Sequence, residues 1–149
     1  MDCINLPGVI LTPLARFSNP LGDVWHAMKS SELSFQSFGE AYFTHIHPGK
    51  TKGWRKHSKM LLNLIVPRGE VLFGMLDDRK DSATLGKSLK ISIGENQYSR
   101  LTIPPGIWVG FQGLGEHTSL ILNLASIEHD PEEALSKPLD SFPFDWSIS

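Results

Sequence analysis

Cysteine is almost absent: Cys3 is the only one among 149 residues, so no intramolecular disulfide framework can staple the fold. Long hydrophobic runs are missing as well, and none approaches the ~20 apolar residues that a membrane-spanning helix needs. The N-terminus shows neither the basic region nor the apolar stretch of a secretory signal. Charge of one sign is not in excess. With 14 Lys and Arg against 16 Asp and Glu, the formal net charge is −2, which excludes a general nucleic-acid binder that works by neutralising phosphates. Any anion site must therefore be local. These absences lead to the expectation of a soluble, cytoplasmic protein with no membrane and no nucleic-acid partner. Tyrosine is scarce: Tyr42 and Tyr98 are the only two, so any phenol chemistry falls to one of them. Helical periodicity is nearly missing, and only Glu132 to Leu135 hints at a 3.6-residue repeat.

What is present is a chain that is 40% hydrophobic, rich enough for one sizeable core and too short for two ordinary domains, so residues 1–149 are expected to form a single domain. Short apolar runs are punctuated throughout by Gly and Pro. The spacing predicts a strand over Gly8 to Phe17, broken at Pro13 and suited to a sheet edge because proline cannot donate to a ladder. Val24 to Met28 reads as a second strand and Lys29 to Ser37 as a serine-rich loop. Gly39 to His47 follows as a strand with Tyr42, Thr44 and Ile46 on one face and Phe43, His45 and His47 on the other. Further strands are predicted at Val71 to Leu76, Leu89 to Ile93, Tyr98 to Ile103, Ile107 to Phe111 and Ser119 to Leu124. From Glu128 onward acids and prolines dominate, and Glu128, Asp130, Glu132 and Glu133 read as a solvated acidic face. Many short strands with turn residues between them mean an all-β sandwich or barrel.

The stretch from Gly53 to Arg79 concentrates both core and chemistry. If residues 53 to 66 form one strand, Arg55, His57, Lys59 and Asn63 share a face, and Trp54, Lys56, Met60 and Leu62 share the other. A row of basic and titratable groups is either a solvated sheet face or the wall of a pocket whose charges are compensated by an anionic ligand or by carboxylates.

Asp78-Arg79, Ser82, Thr84 and Gly86-Lys87 precede an alternating strand, then come Gly94-Glu95-Asn96, Ile103-Pro104-Pro105-Gly106 and Gly110-Phe111. In that order and at that spacing these blocks resemble the dTDP-4-dehydrorhamnose 3,5-epimerase family of cupins over roughly residues 8 to 146. The resemblance implies a jelly-roll cupin barrel, a homodimer, no cofactor, and action on a nucleotide-diphosphate sugar in cell-surface polysaccharide synthesis. The chemistry implied is proton abstraction beside a ketone, which needs a base, a donor for the enolate oxygen and a second acid on the opposite ring face. Lys52-Gly53-Trp54-Arg55 stands where the family has Arg-Gly-x-His, so the family's histidine is Arg55 here, and an arginine cannot serve as a base. Lys52 replaces a phosphate-contacting arginine as a charge, and Lys59 matches a lysine near the keto oxygen. The family's tyrosine would fall near Asn123 to Ile127, where none is found, and Asp140 lies within a residue of the aspartate that partners the histidine.

The related 3,4-ketoisomerases carry Arg-Gly-x-His-x-His on this strand, and His57 retains the second of those histidines. On this resemblance the catalytic set is His57, Lys59 and Asp140, with Lys52, Arg55, Asn63 and Trp54 binding substrate. Two alternatives stand beside it. One is a catalytically silent nucleotide-sugar binder, since Arg55 replaces the family's histidine and its tyrosine is absent. The other is a metal cupin using His45 and His47, whose spacing suits two imidazoles on one ion, although Val109 stands where metal cupins place a further histidine.

Overall fold

The computed structural model describes residues 5–148; Cys3 lies outside them. Twelve strands form among the described residues: Ile10–Pro13 (β1), Arg16–Phe17 (β2), Val24–Trp25 (β3), Glu40–Ile46 (β4), Thr51–His57 (β5), Leu62–Arg68 (β6), Glu70–Asp77 (β7), Ser88–Gly94 (β8), Ser99–Ile103 (β9), Ile107–Leu114 (β10), Ser119–Ala125 (β11) and Ala134–Ser136 (β12). One short 3-10 turn follows at Leu139–Ser141. No helix among them is long and apolar enough to cross a membrane.

The strands build two five-stranded antiparallel sheets, one in the order β1, β9, β6, β11, β4 and the other in the order β12, β5, β10, β7, β8, with β2 and β3 as a separate ribbon. Apart from the β7–β8 hairpin, neighbours in each sheet are not consecutive in sequence, which is the jelly-roll arrangement that the family resemblance implies. Alternation explains which side chains close the core. Along β11, Ser119, Ile121, Asn123 and Ala125 are buried while Leu120, Leu122 and Leu124 are only half-buried. Leu62, Leu64 and Leu101 of one sheet meet Phe73, Met75 and Ile107 of the other in one hydrophobic cluster.

Three expectations need correcting. The stretch 53–66 is not one strand: β5 ends at His57, and residues 58–61 carry the chain from one sheet to the other before β6 begins at Leu62. The period-2 argument therefore does not run across the break. Strand character after Asp23 stops at Trp25 instead of Met28. Glu132 to Leu135 is not helical, because Ala134–Ser136 pairs with β5 at the sheet edge. The Pro13 expectation holds, since β1 is an edge strand paired only with β9.

The turn at Asp77-Asp78-Arg79 is an ion-paired corner. Asp77 accepts from Arg79 Nε at 2.8 Å, Ser82 Oγ at 2.6 Å and Thr84 Oγ1 at 2.6 Å. The Arg79 guanidinium, helped by the two hydroxyls and opposed by burial, holds the Asp77 carboxyl well below the usual carboxylate range. Arg79 Nη1 also donates to the Pro7 carbonyl at 2.6 Å, tying the N-terminal segment to this corner.

Candidate active site

A cavity of about 320 Å³ opens between the two sheets. Its polar lining comes from Lys52, Arg55 and His57 on β5 and from Tyr42, Thr44 and Asn123 on β4 and β11, over an apolar floor that includes Leu64, Phe73 and Phe111.

Strict alternation would put Lys52 on the same side of β5 as Trp54, yet Lys52 and Arg55 both line the cavity. A β-bulge resolves this. On β10, Val109 pairs with Arg55 and Phe111 pairs with Lys52, so two residues of β5 stand opposite one of β10. The extra residue re-aims the strand, turning Trp54 and the Cβ direction of Gly53 to the outside while the Gly53 backbone still lines the cavity. Glycine is required at position 53 because a Cβ there would meet the Leu139 backbone at 2.8 Å. Lys52 Nζ donates to the His45 carbonyl at 3.2 Å and lies over the Phe111 ring. Arg55 is exposed to the cavity and makes no side-chain hydrogen bond to another described residue.

His57, 8% exposed, is the buried end of this row. Its Nδ1 bonds Glu133 Oε1, and the other carboxylate oxygen accepts from the backbone N–H groups of Ser58 at 3.1 Å, Lys59 at 3.0 Å and Met60 at 3.3 Å. Burial pushes the Glu133 carboxyl up, but the hydrogen bond from His57 and those from the Lys59 and Met60 backbone outweigh it, so the group stays below its ordinary value. An ionised carboxylate only accepts, which makes Nδ1 the donor, so that in the neutral ring Nε2 carries the lone pair.

The structure brings together His57, Arg55 and Lys52 among the residues singled out in the sequence, and it separates the others. Lys59 is exposed and outside the cavity, since the chain has turned away after His57 and uses the Lys59 backbone to hold Glu133. Asn63 faces away from the cavity, donating from Nδ2 to the Ser34 carbonyl and accepting from Thr102 Oγ1 at 2.6 Å. Trp54 is fully buried on the outer face of β5, where Nε1 donates to the Leu139 carbonyl and its ring packs against Phe142, Phe144 and Trp146. Asp140 is exposed in the 3-10 turn and makes no bond to His57; Glu133, read from the sequence as part of a solvated acidic face, is 5% exposed and takes that role. His45 and His47 are exposed and outside the cavity lining, and His47 Nδ1 bonds Thr118 Oγ1 at 2.9 Å. Among the described residues no three His, Cys, Asp or Glu side chains are grouped to hold an ion. Val109 and Phe111 line the cavity as an apolar wall.

Tyr42 and Asn123 were the residues whose place in the site the sequence did not specify. They are direct cross-strand partners, and Asn123 Nδ2 donates to the Tyr42 hydroxyl at 3.0 Å. The face of Tyr42 was legible from alternation along β4, but its partner on a strand 81 residues away was not.

The sequence profile described as dTDP-4-dehydrorhamnose 3,5-epimerase matches residues 5–148. Over 112 residues, 72% of each chain, this one is 31% identical to the probable low-salt glycan biosynthesis epimerase Agl13 of Haloferax volcanii. It is 25% identical to the spore coat polysaccharide biosynthesis protein SpsL of Bacillus subtilis, covering 95% of this chain and 97% of that one. The crystal structure of a dTDP sugar isomerase from Desulfovibrio desulfuricans superposes with a TM-score of 0.90 at 32% identity, covering 97% of this chain and 95% of the other.

Proposed function

Because this chain belongs to the dTDP-4-dehydrorhamnose 3,5-epimerase family, we propose that it epimerises or isomerises a nucleotide-linked 4-keto-6-deoxy sugar, with His57 as the base. The observation that carries this reading is the buried Glu133–His57 pair at the inner end of a cavity rimmed by two cations. Glu133 orients the imidazole and stabilises the charge it acquires, so that Nε2 takes the proton from the ring carbon beside the ketone. The electron pair left behind moves to the keto oxygen, to which the Arg55 guanidinium offers a fork of N–H groups that no other described residue engages. Lys52 would face the diphosphate as a point charge. The dTDP group is supported by the names of the relatives, and glycan or spore-coat polysaccharide synthesis is the setting that those names suggest.

The test is solvent exchange. The protein is incubated in heavy water with dTDP-4-keto-6-deoxyglucose, and the ring protons at carbons 3 and 5 are followed by NMR and mass. Deuterium entering either carbon is the expected result, and the labelled position separates 3,5-epimerase from 3,4-ketoisomerase chemistry. Saturable binding without exchange would leave a silent sugar-nucleotide binder, and no binding would overturn the substrate class.

The active form proposed is a homodimer. Phe43, 62% exposed on the outer face of edge strand β4, sits across from Leu122 of β11, and Phe38, 63% exposed, borders a shallow groove lined by Met28, Phe35 and Leu124. Contiguous apolar surface of this kind marks an interface. Sedimentation equilibrium should give about twice the chain mass for the wild type, and Phe43→Glu should shift it toward monomer.

A further inference from the structure

The segment that carries Glu133 to His57 has little of its own to hold it in place. Strand β12 is three residues long and lies at the sheet edge, with β5 as its one partner among the described residues. So short a ladder specifies its register weakly, and a slip of one residue would carry Glu133 off the imidazole. Two anchors outside the strand fix it. At one end Ser58 donates to the Glu133 carbonyl from its backbone N–H and from its hydroxyl, both at 2.8 Å. At the other end Trp54 and Lys137 exchange backbone bonds of 3.2 and 2.9 Å, and Trp54 Nε1 donates to the Leu139 carbonyl at 3.0 Å. The second anchor depends on a close fit. Gly53 lacks a Cβ, so the Leu139 backbone can lie against β5. Gly74 and Gly110, direct partners on β7 and β10, leave a slot for the Phe144 and Trp146 rings, which a Cβ at those positions would approach within 2.7 and 3.2 Å. Phe142, Phe144 and Trp146 then enclose the Trp54 indole at centroid distances of 5.3 to 5.6 Å. A fully buried indole N–H needs an acceptor, and the Leu139 carbonyl is the one it has, so the ring fixes where the tail lies as well as packing on it. None of these four rings lines the cavity.

Resting on the reading that His57 is the base of this cavity, we propose that Trp54 is a positioning residue for it. From the outer face of β5, the indole sets the register of residues 133–139 through Leu139, and that register places the Glu133 carboxylate on His57 Nδ1. The carboxylate in turn keeps the hydrogen on Nδ1 and the lone pair on Nε2. A residue that never meets the substrate thus governs the form of the group that does.

Two variants release the anchor by different routes. Trp54→Phe keeps an aromatic ring against Phe142, Phe144 and Trp146 and removes the N–H that holds Leu139, whereas Gly53→Ala leaves every ring in place and sets a methyl group 2.8 Å from the Leu139 backbone. Nitrogen NMR of the His57 ring, identified by its loss in His57→Asn, should show the Nδ1–H form in the wild type and a mixture with the Nε2–H form in both variants. Deuterium exchange into dTDP-4-keto-6-deoxyglucose should fall by about 10-fold in each, less than the ~100-fold that a 1 Å misplacement can cause, with KM changed by less than about threefold. Phe142→Leu is the control: it thins the box around the indole but keeps the N–H, and should lower the melting temperature while leaving tautomer and exchange as in the wild type. A wild-type tautomer and rate in folded Trp54→Phe and Gly53→Ala would overturn the proposal. So would equal losses in Phe142→Leu, which would reduce Trp54 to a packing residue. A wild-type protein without exchange would overturn His57 as the base, and the tautomer shift alone would then decide whether Trp54 sets the Glu133–His57 geometry.

Discussion

His57→Asn is expected to reduce deuterium exchange into the keto sugar by about 10³–10⁴-fold while changing its binding by no more than about threefold. Asparagine keeps a polar side chain of similar reach toward Glu133, so the buried carboxylate retains a donor. What disappears is the Nε2 lone pair, which acts only as the C–H bond breaks and therefore contributes to the transition state and not to ground-state affinity. Equal losses in binding and exchange would instead make His57 a binding residue. Retained exchange would move the base elsewhere in the cavity, whose lining also includes the Tyr42 phenol.

Glu133→Gln should lose exchange to a similar degree, about 10²–10⁴-fold, although position 133 never meets the substrate in this scheme. The reason is tautomeric. Three backbone N–H groups, of Ser58, Lys59 and Met60, crowd one carboxylate oxygen, so a glutamine must keep its oxygen there and turn its NH₂ toward His57 Nδ1. An imidazole that accepts at Nδ1 carries its hydrogen on Nε2 and has no lone pair for the cavity. Nitrogen NMR of the histidine ring in the variant should show the Nε2–H form. Removing the group altogether, as Glu133→Ala, takes the carboxylate from the imidazole and from the Lys59 and Met60 N–H groups, while Ser58 N–H keeps the Glu133 backbone carbonyl, and should cost about 3–5 kcal/mol of stability in a chemical-denaturation measurement. The two variants also differ from the wild type in acid. A carboxyl whose folded-state value is depressed contributes stability above its unfolded value, about 4.3, and loses it as pH falls through the folded value. Wild-type stability should therefore decline below about pH 4 through Glu133 among other carboxylates, and that component should be missing from Glu133→Gln.

Much of the barrel was legible in the chain because strand formation is local. Cβ directions alternate along an extended backbone, so runs such as Ser119 to Leu124 declare both their conformation and their buried face. The same rule correctly set Tyr42 opposite His45 and Trp54 opposite Arg55. It failed where the backbone departs from regularity. The bulge opposite Val109 and Phe111 rotates Lys52 into the cavity, and the break after His57 removes Lys59 and Asn63 from it. Neither irregularity has a local signature stronger than Gly53 itself.

Carboxylate choice was the harder problem. Asp140 and Glu133 both lie in an acidic, proline-rich tail, and nothing in their neighbours distinguishes a solvated acid from a buried one. Pairing of Ala134 with His57 on β5 decides between them, since it carries the preceding Glu133 to the imidazole and the crossover N–H groups, 76 residues away in sequence. The sequence by itself determined an all-β sandwich or barrel, most of its strands and the shared face of Arg55 and His57, because each follows from backbone geometry within a few residues. Only the tertiary structure decided that Glu133 holds His57 and that Asn123 holds Tyr42 on the facing wall. Those contacts join strands far apart in the chain, and a buried polar group is satisfied by whichever partner the closed barrel brings within reach.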